Sequence, residues 1–95
     1  MAEISRLDWD AGNLGKCQKH GVSIDEIETL FASTPKVGRD ENHSAEEERY
    51  TAIGRNHAGR PLFVIFTMRT VGGRQLVRPV SARYMHRKEI ERYGG

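Results

Sequence analysis

His43 and Glu47 stand four residues apart, one turn if the stretch around them is helical, so an imidazole and a carboxylate can meet there. A carboxylate neighbour raises the proton affinity of an imidazole and poises it as a general acid or base. Farther along, Arg69 and Arg83 each stand by the end of an apolar or alternating run, beside the hydroxyl residues Thr67 and Ser81. Neighbouring strands are expected to bring these two arginines to one end of a sheet. Metal-free RNA cleavage needs few parts. One group takes the proton of the 2′-hydroxyl, another protonates the leaving oxygen, and cations stabilise the charge on the phosphorane. A histidine, a carboxylate and two or three arginines suffice. As spacing alone the signal is weak, because most basic proteins offer such a set.

The charge distribution points the same way. Residues 1–48 hold five Lys or Arg against eleven Asp or Glu, a balance of −6. Residues 49–95 hold ten against two, a balance of +8, and nine of the ten are arginine. A surface built from the second half attracts phosphate-rich partners, and arginine forks can hold a phosphate with two parallel hydrogen bonds. The bland alternative is a basic surface that the acidic first half neutralises.

Each candidate has a plainer reading beside it. Lys19 and His20 fit the C-terminal end of a helix, where cations are favoured, as well as they fit RNA contact. His43 fits a loop residue bonded to backbone, and Glu47 and Glu48 fit surface pairs with Arg49. His57 reads as a turn tip, His86 as a helix-surface residue and Cys17 as a small packed side chain. Histidines at 20, 43, 57 and 86 with a lone cysteine match no usual zinc spacing, so neither a metal nor a cofactor is expected.

These residues need a scaffold, and 95 residues allow one domain with a modest core. With 37% hydrophobic and 29% charged residues the chain lies in the globular range. One cysteine rules out an intrachain disulfide and suits the cytoplasm. No apolar run approaches a membrane span, and Glu3 and Arg6 do not suit a secretory signal. A weak first helix is expected over residues 11–20, costed by Gly12 and Gly15. A second is announced by Ser23 and Glu26 as a capping box and by Val22 and Ile27 as a hydrophobic staple, with Ile24, Ile27, Leu30 and Phe31 as its apolar stripe. Residues 36–39, 48–54, 62–69 and 75–82 read as strands. The third reads as a central strand buried on both faces, and Pro79 puts the fourth at an edge or bulge. Residues 56–59 and 71–74 read as turns, and a short helix with His86, Ile90 and Tyr93 on one stripe closes the chain. The expected fold is α+β: two N-terminal helices on an antiparallel sheet of three to four strands, and a short C-terminal helix.

The run His43-Ser44-x-x-Glu47-Glu48-Arg49-Tyr50, followed by Ile53-Gly54, Gly59-Arg60, the 62–69 strand and Arg78-x-x-Ser81-Ala82-Arg83, resembles the BrnT family. So does the opening Trp9-Asp10 with Lys19-His20-Gly21-Val22-Ser23. The elements follow in the family's order from about Leu7 to Tyr93, nearly the whole chain. The resemblance implies a RelE-like fold and a ribonuclease toxin. It also implies a cognate DNA-binding antitoxin, BrnA-like, through whose complex alone the toxin reaches operator DNA. On that reading His43 or Glu47 handles protons, and Arg49, Arg69 and Arg83 hold the scissile phosphate. Lys19, His20 and Arg78 add contacts to the RNA. A non-catalytic basic module that binds RNA or protein remains the alternative, with a purely structural partner in a repressor complex behind it.

Overall fold

The structure, a computed structural model, describes residues 7–40 and 48–92. Helix α1 (Ala11–Gln18) forms in spite of its two glycines because its first turn is doubly capped. Asp10, in extended backbone, accepts the Gly12 amide at 2.7 Å, and the Asn13 side chain accepts the Asp10 amide at 2.8 Å. Asn13 is itself buried, and its amide donates to the carbonyls of Asp8 and Pro79, both at 2.8 Å. The helix stops at Gln18, two residues before the expected end, with Lys19 as its C-cap.

Helix α2 (Ile24–Ala32) follows the sequence signals closely. Ser23 and Glu26 close the capping box, at 3.1 and 2.9 Å, and Val22, Ile27, Leu30 and Phe31 are buried. Strands β1 (Lys36–Arg39), β2 (Tyr50–Arg55), β3 (Pro61–Val71) and β4 (Arg74–Tyr84) then form one antiparallel meander in chain order. Gly72 and Gly73 join β3 to β4 with φ of 57° and 79°, values that suit a tight two-residue hairpin. The terminal helix α3 (Arg87–Arg92) is short. Tyr93, expected on its stripe, lies outside the described residues.

The core lies between the first two helices and one face of the sheet. Cys17, Ile27, Leu30 and Phe31 meet Ala52, Leu62, Val64, Phe66, Val77 and Ala82. Phe66 sits at its centre, edge-on to Phe31 at 5.2 Å and tilted against Tyr50 at 5.5 Å. Gly54 lets β2 approach α2, since a Cβ there would overlap Leu30. Burial pushes the Cys17 thiol up to about 11, which keeps it protonated and unreactive.

The expectation that β3 is buried on both faces does not hold. Leu62, Val64 and Phe66 are buried, whereas Phe63 and Ile65, on the opposite face, are only half-buried. Both large helices cover the same side, so an apolar run marked the strand without marking two covers.

Pro79 lies on the edge strand at a bulge, as its ring demands. Ile65 pairs with Ser81 and Phe66 with Pro79, so Val80 is the extra residue. β2 pairs with β3 only as far as Phe66. Beyond it, β3 and β4 run on as a two-stranded ribbon whose outer residues, from Met68 to Gln75, are exposed. The chain before α1 laces onto this ribbon: Leu7 bridges Val77, and the Asp8 amide donates to the Val77 carbonyl at 2.7 Å.

Candidate functional site

That lacing builds a charge cluster. Asp8 is held against β4, and Asp10 is fixed by capping α1. Arg78 projects from β4 and grips both. Its Nη1 donates to Asp8 at 3.1 Å and to Asp10 at 2.9 Å, and Nη2 donates to Asp10 at 3.0 Å. Arg69, on the ribbon portion of β3, donates Nη1 to the same Asp8 oxygen at 3.1 Å. The Arg78 fork and the Gly12 amide hold the Asp10 carboxyl below its ordinary value, and Asp10 in turn raises Arg78. Arg78 therefore stays charged, and the shared carboxylate of Asp8 holds both arginines in a fixed geometry.

Beside them lies a cleft of about 160 Å³, lined by Gly12, Asn13, Lys16, Arg49, Thr67, Arg78, Pro79 and Val80. Arg49 stands just before β2, and its carbonyl accepts the Asp40 amide at 2.8 Å. The Thr67 hydroxyl donates to the Glu48 carbonyl at 3.1 Å. Lys16, Arg49 and Arg78 line the cleft and Arg69 joins Arg78 on Asp8, so four cationic side chains gather around it among the described residues.

The structure brings together Arg49, Arg69 and Arg78 of the expected set. It separates Arg69 from Arg83. Arg69 pairs with Leu76 and Arg83 with Phe63, six positions away along β3, roughly 20 Å at the usual rise per residue. The cause is the antiparallel hairpin, in which the end of one strand lies beside the start of the next. A single phosphate cannot be held by both.

Arg83 is instead clasped by α3. Its two Nη atoms donate to the Glu89 carboxylate at 2.5 and 2.6 Å, and its guanidinium lies 4.5 Å over the Phe63 ring. This clasp, with the His86 amide behind it, drops the Glu89 carboxyl from 4.5 to about 2. The pair therefore stabilises the fold fully above about pH 4.5, and that stability is lost as the pH falls toward 2. Arg83 is 36% exposed, and solvent screening trims the contribution to about 1 kcal/mol. Glu89→Gln should lower stability by that amount near neutrality and by almost nothing at pH 2, as measured by urea melts at the two pH values. An equal loss at both would show that the clasp owes nothing to charge.

Lys19 and His20 are exposed at the far end of α1, away from the Asp10 cap and toward Tyr84, whose hydroxyl donates to the Gly21 carbonyl at 3.4 Å. They do not join the cleft. The Tyr84 hydroxyl chiefly serves Glu26, at 2.9 and 3.0 Å, and Arg60 stacks 3.6 Å above its ring. Burial pushes the Glu26 carboxyl up, but bonds from Asn56, Ser23 and Tyr84 together hold it below its usual value. This group fastens α2 to the sheet. Glu48 accepts from the Tyr50 hydroxyl and lies 3.8 Å from Arg39, so its surface pairing is not with the expected Arg49.

His43 and Glu47 lie outside the described residues. Asp8, Asp10, Asn13 and Lys16 were missed by sequence reasoning. Asp8 and Asp10 carried one usable signal: two carboxylates two residues apart in extended chain project to the same side.

Among the described residues no three His, Cys, Asp or Glu side chains are grouped so as to hold a metal ion. None of their helices is long and apolar enough to cross a membrane.

The fold and the cleft define a small α+β domain with arginines fixed at the rim of a cleft. The chain belongs to the BrnT family: residues 9–89 match the model of the ribonuclease toxin BrnT of type II toxin–antitoxin systems. Membership supplies an RNA substrate and a protein antitoxin as partner. A comparison with curated proteins gives no match.

Proposed function

We propose that this chain is a metal-independent endoribonuclease on a RelE-like scaffold that cuts RNA in the cytoplasm and so halts translation and growth. A BrnA-like antitoxin neutralises it, and the complex of the two represses the operon. The observation that carries the site is the shared anchoring of Arg69 and Arg78 on Asp8, beside Arg49 and the cleft.

In this reading Arg49, Arg69 and Arg78 hold the scissile phosphate and stabilise the phosphorane charge. His43 or Glu47 takes the proton of the 2′-hydroxyl, whose oxygen attacks the adjacent phosphorus. The bond to the 5′-oxygen breaks, and that oxygen leaves with a proton from the other group. The products are a 2′,3′-cyclic phosphate and a 5′-hydroxyl. What supports a part for residues 43 and 47 is the position of the flanking described residues. Asp40 bonds to Arg49 and Glu48 to Thr67, and both Arg49 and Thr67 line the cleft.

One observation favours a rival. Asp8 and Asp10 already engage Arg69 and Arg78, as they would if the cluster only pinned the N-terminal segment to β4. Arg69 tips the balance, because it is 52% exposed and commits only Nη1 of its five N–H donors' worth of capacity to those carboxylates. Inducible expression tests the reading. Growth should stop, and co-expression of the antitoxin from the adjacent gene should restore it. Normal growth with abundant folded protein would favour the non-catalytic module.

A further inference from the structure

Tyr84, the last residue of β4, gathers a second basic group away from the cleft. It pairs with Leu62, five positions along β3 from the cleft residue Thr67, a separation of roughly 17 Å at the usual rise per residue. The Arg60 guanidinium lies over the Tyr84 ring, 3.6 Å from its centroid. Gly21 adjoins the edge of the same ring. A Cβ there would stand 3.9 Å from Tyr84 Cε2, and the Gly21 carbonyl accepts from the Tyr84 hydroxyl at 3.4 Å. The exposed Lys19 and His20 immediately precede Gly21 in the chain.

Both ends of Arg60 are held. Its amide donates to the Asn56 side chain at 2.8 Å, and its carbonyl accepts the Asn56 amide at 3.0 Å. Asn56 is tied in turn to Glu26 of α2, to which its side chain donates at 2.8 Å. At the other end the Tyr84 ring supports the guanidinium. Among the described residues no carboxylate or carbonyl takes a hydrogen bond from that guanidinium, and the residue is exposed, so its N–H donors are left for a ligand. Glu26, the carboxylate at the Tyr84 hydroxyl, is committed to Ser23, Asn56 and Tyr84. An arginine positioned by stacking, with its fork unspent, can grip a phosphate through two parallel hydrogen bonds. A protein partner is anchored chiefly by apolar side chains. The exposed large hydrophobics among the described residues are Leu14, Val37, Met68 and Val71, none of which belongs to this group.

We infer that Arg60, seated on Tyr84, binds a backbone phosphate of single-stranded RNA a few nucleotides from the scissile one, with Tyr84 as the residue that positions the guanidinium. This rests on the ribonuclease reading for its substrate, but the contact is measurable without turnover. Lys19 and His20 add to the local attraction for the strand, which gives them a place on the RNA path apart from the cleft. A phosphate contact adds affinity and salt dependence and carries no sequence preference.

The experiment measures anisotropy of a labelled single-stranded oligoribonucleotide in EDTA, 2′-O-methylated throughout to prevent cleavage, and moves one neutral methylphosphonate linkage along it. For the wild-type chain a linkage a few nucleotides from those at the cleft should also matter, its neutralisation weakening binding about three- to tenfold, the scale of one lost hydrogen-bonded contact. Arg60→Gln should weaken binding of the unmodified strand to a similar degree and abolish the sensitivity at that distal linkage alone. It should also reduce the slope of log affinity against log salt by about 0.7, the value for one phosphate of a single strand. Arg60→Lys keeps the charge but lacks the plane, and should recover only part of the affinity. Thermal melts check that each variant is folded. The inference is overturned if folded Arg60→Gln keeps the wild-type salt slope and distal sensitivity. It is equally overturned if that variant loses affinity for the antitoxin while its RNA binding is unchanged, which would make the patch a protein-docking surface. A wild-type chain that cuts no RNA yet shows the Arg60-dependent distal loss would reject the ribonuclease reading and keep the subsite.

Discussion

Arg69→Ala should fold normally and cut RNA about 100-fold more slowly, the usual scale for removing one preorganised donor from a developing anion. Arg69 sits on the exposed ribbon, and its loss leaves Asp8 and Asp10 still paired with Arg78. The structural cost is therefore small, within the range of an exposed ion pair. Arg78 is a poorer probe, because it is 22% exposed and joins α1, the N-terminal segment and β4 at once. Arg69→Lys should recover part of the rate, since it restores charge without the planar fork. Cleavage time courses under single-turnover conditions measure both variants, and an unchanged rate in Arg69→Ala would move the chemistry away from this cleft.

Phe66→Ala should cost about 3–5 kcal/mol, the range for removing a buried aromatic ring. Phe66 is 3% exposed and holds Phe31 of α2 and Tyr50 of β2 through ring contacts. Domains of this size are stable by only about 5–15 kcal/mol, so the variant should melt about 15 °C or more below wild type, or fail to fold at 37 °C. Phe63→Leu, at a half-buried position on the opposite face, should shift the midpoint far less. Calorimetry of the two variants separates the faces of β3. Equal losses would mean that Phe63 is as much a core residue as Phe66.

The contrast between those two phenylalanines marks where sequence reasoning ran out. The apolar run around them made a strand legible, and the Gly72–Gly73 turn set its pairing with β4. Nothing local could reveal that α1 and α2 share one side of the sheet. α2 was legible in detail because Ser23, Glu26, Val22 and Ile27 are near neighbours in sequence. α1 was only partly so, because its reciprocal cap is the amide of Asn13 in place of the usual Glu or Gln.

The site divides in the same way. The arginine-rich second half pointed to a phosphate-binding surface, and Arg49, Arg69 and Arg78 do converge. Their anchors, Asp8 and Asp10, lie 61 and 68 residues away from the arginines they hold, beyond any local pattern. The separation of Arg69 from Arg83 was within reach. A turn centred between residues 72 and 73 places residue 69 opposite residue 76 and leaves residue 83 far down the hairpin.

Metal-independent cleavage is tested by incubating the purified, folded chain with a 5′-labelled single-stranded RNA in EDTA and analysing the product ends. Discrete fragments ending in a 2′,3′-cyclic phosphate are expected, formed without metal and suppressed by adding the antitoxin. Intact RNA, or cleavage that appears only when a divalent metal is returned, would contradict it.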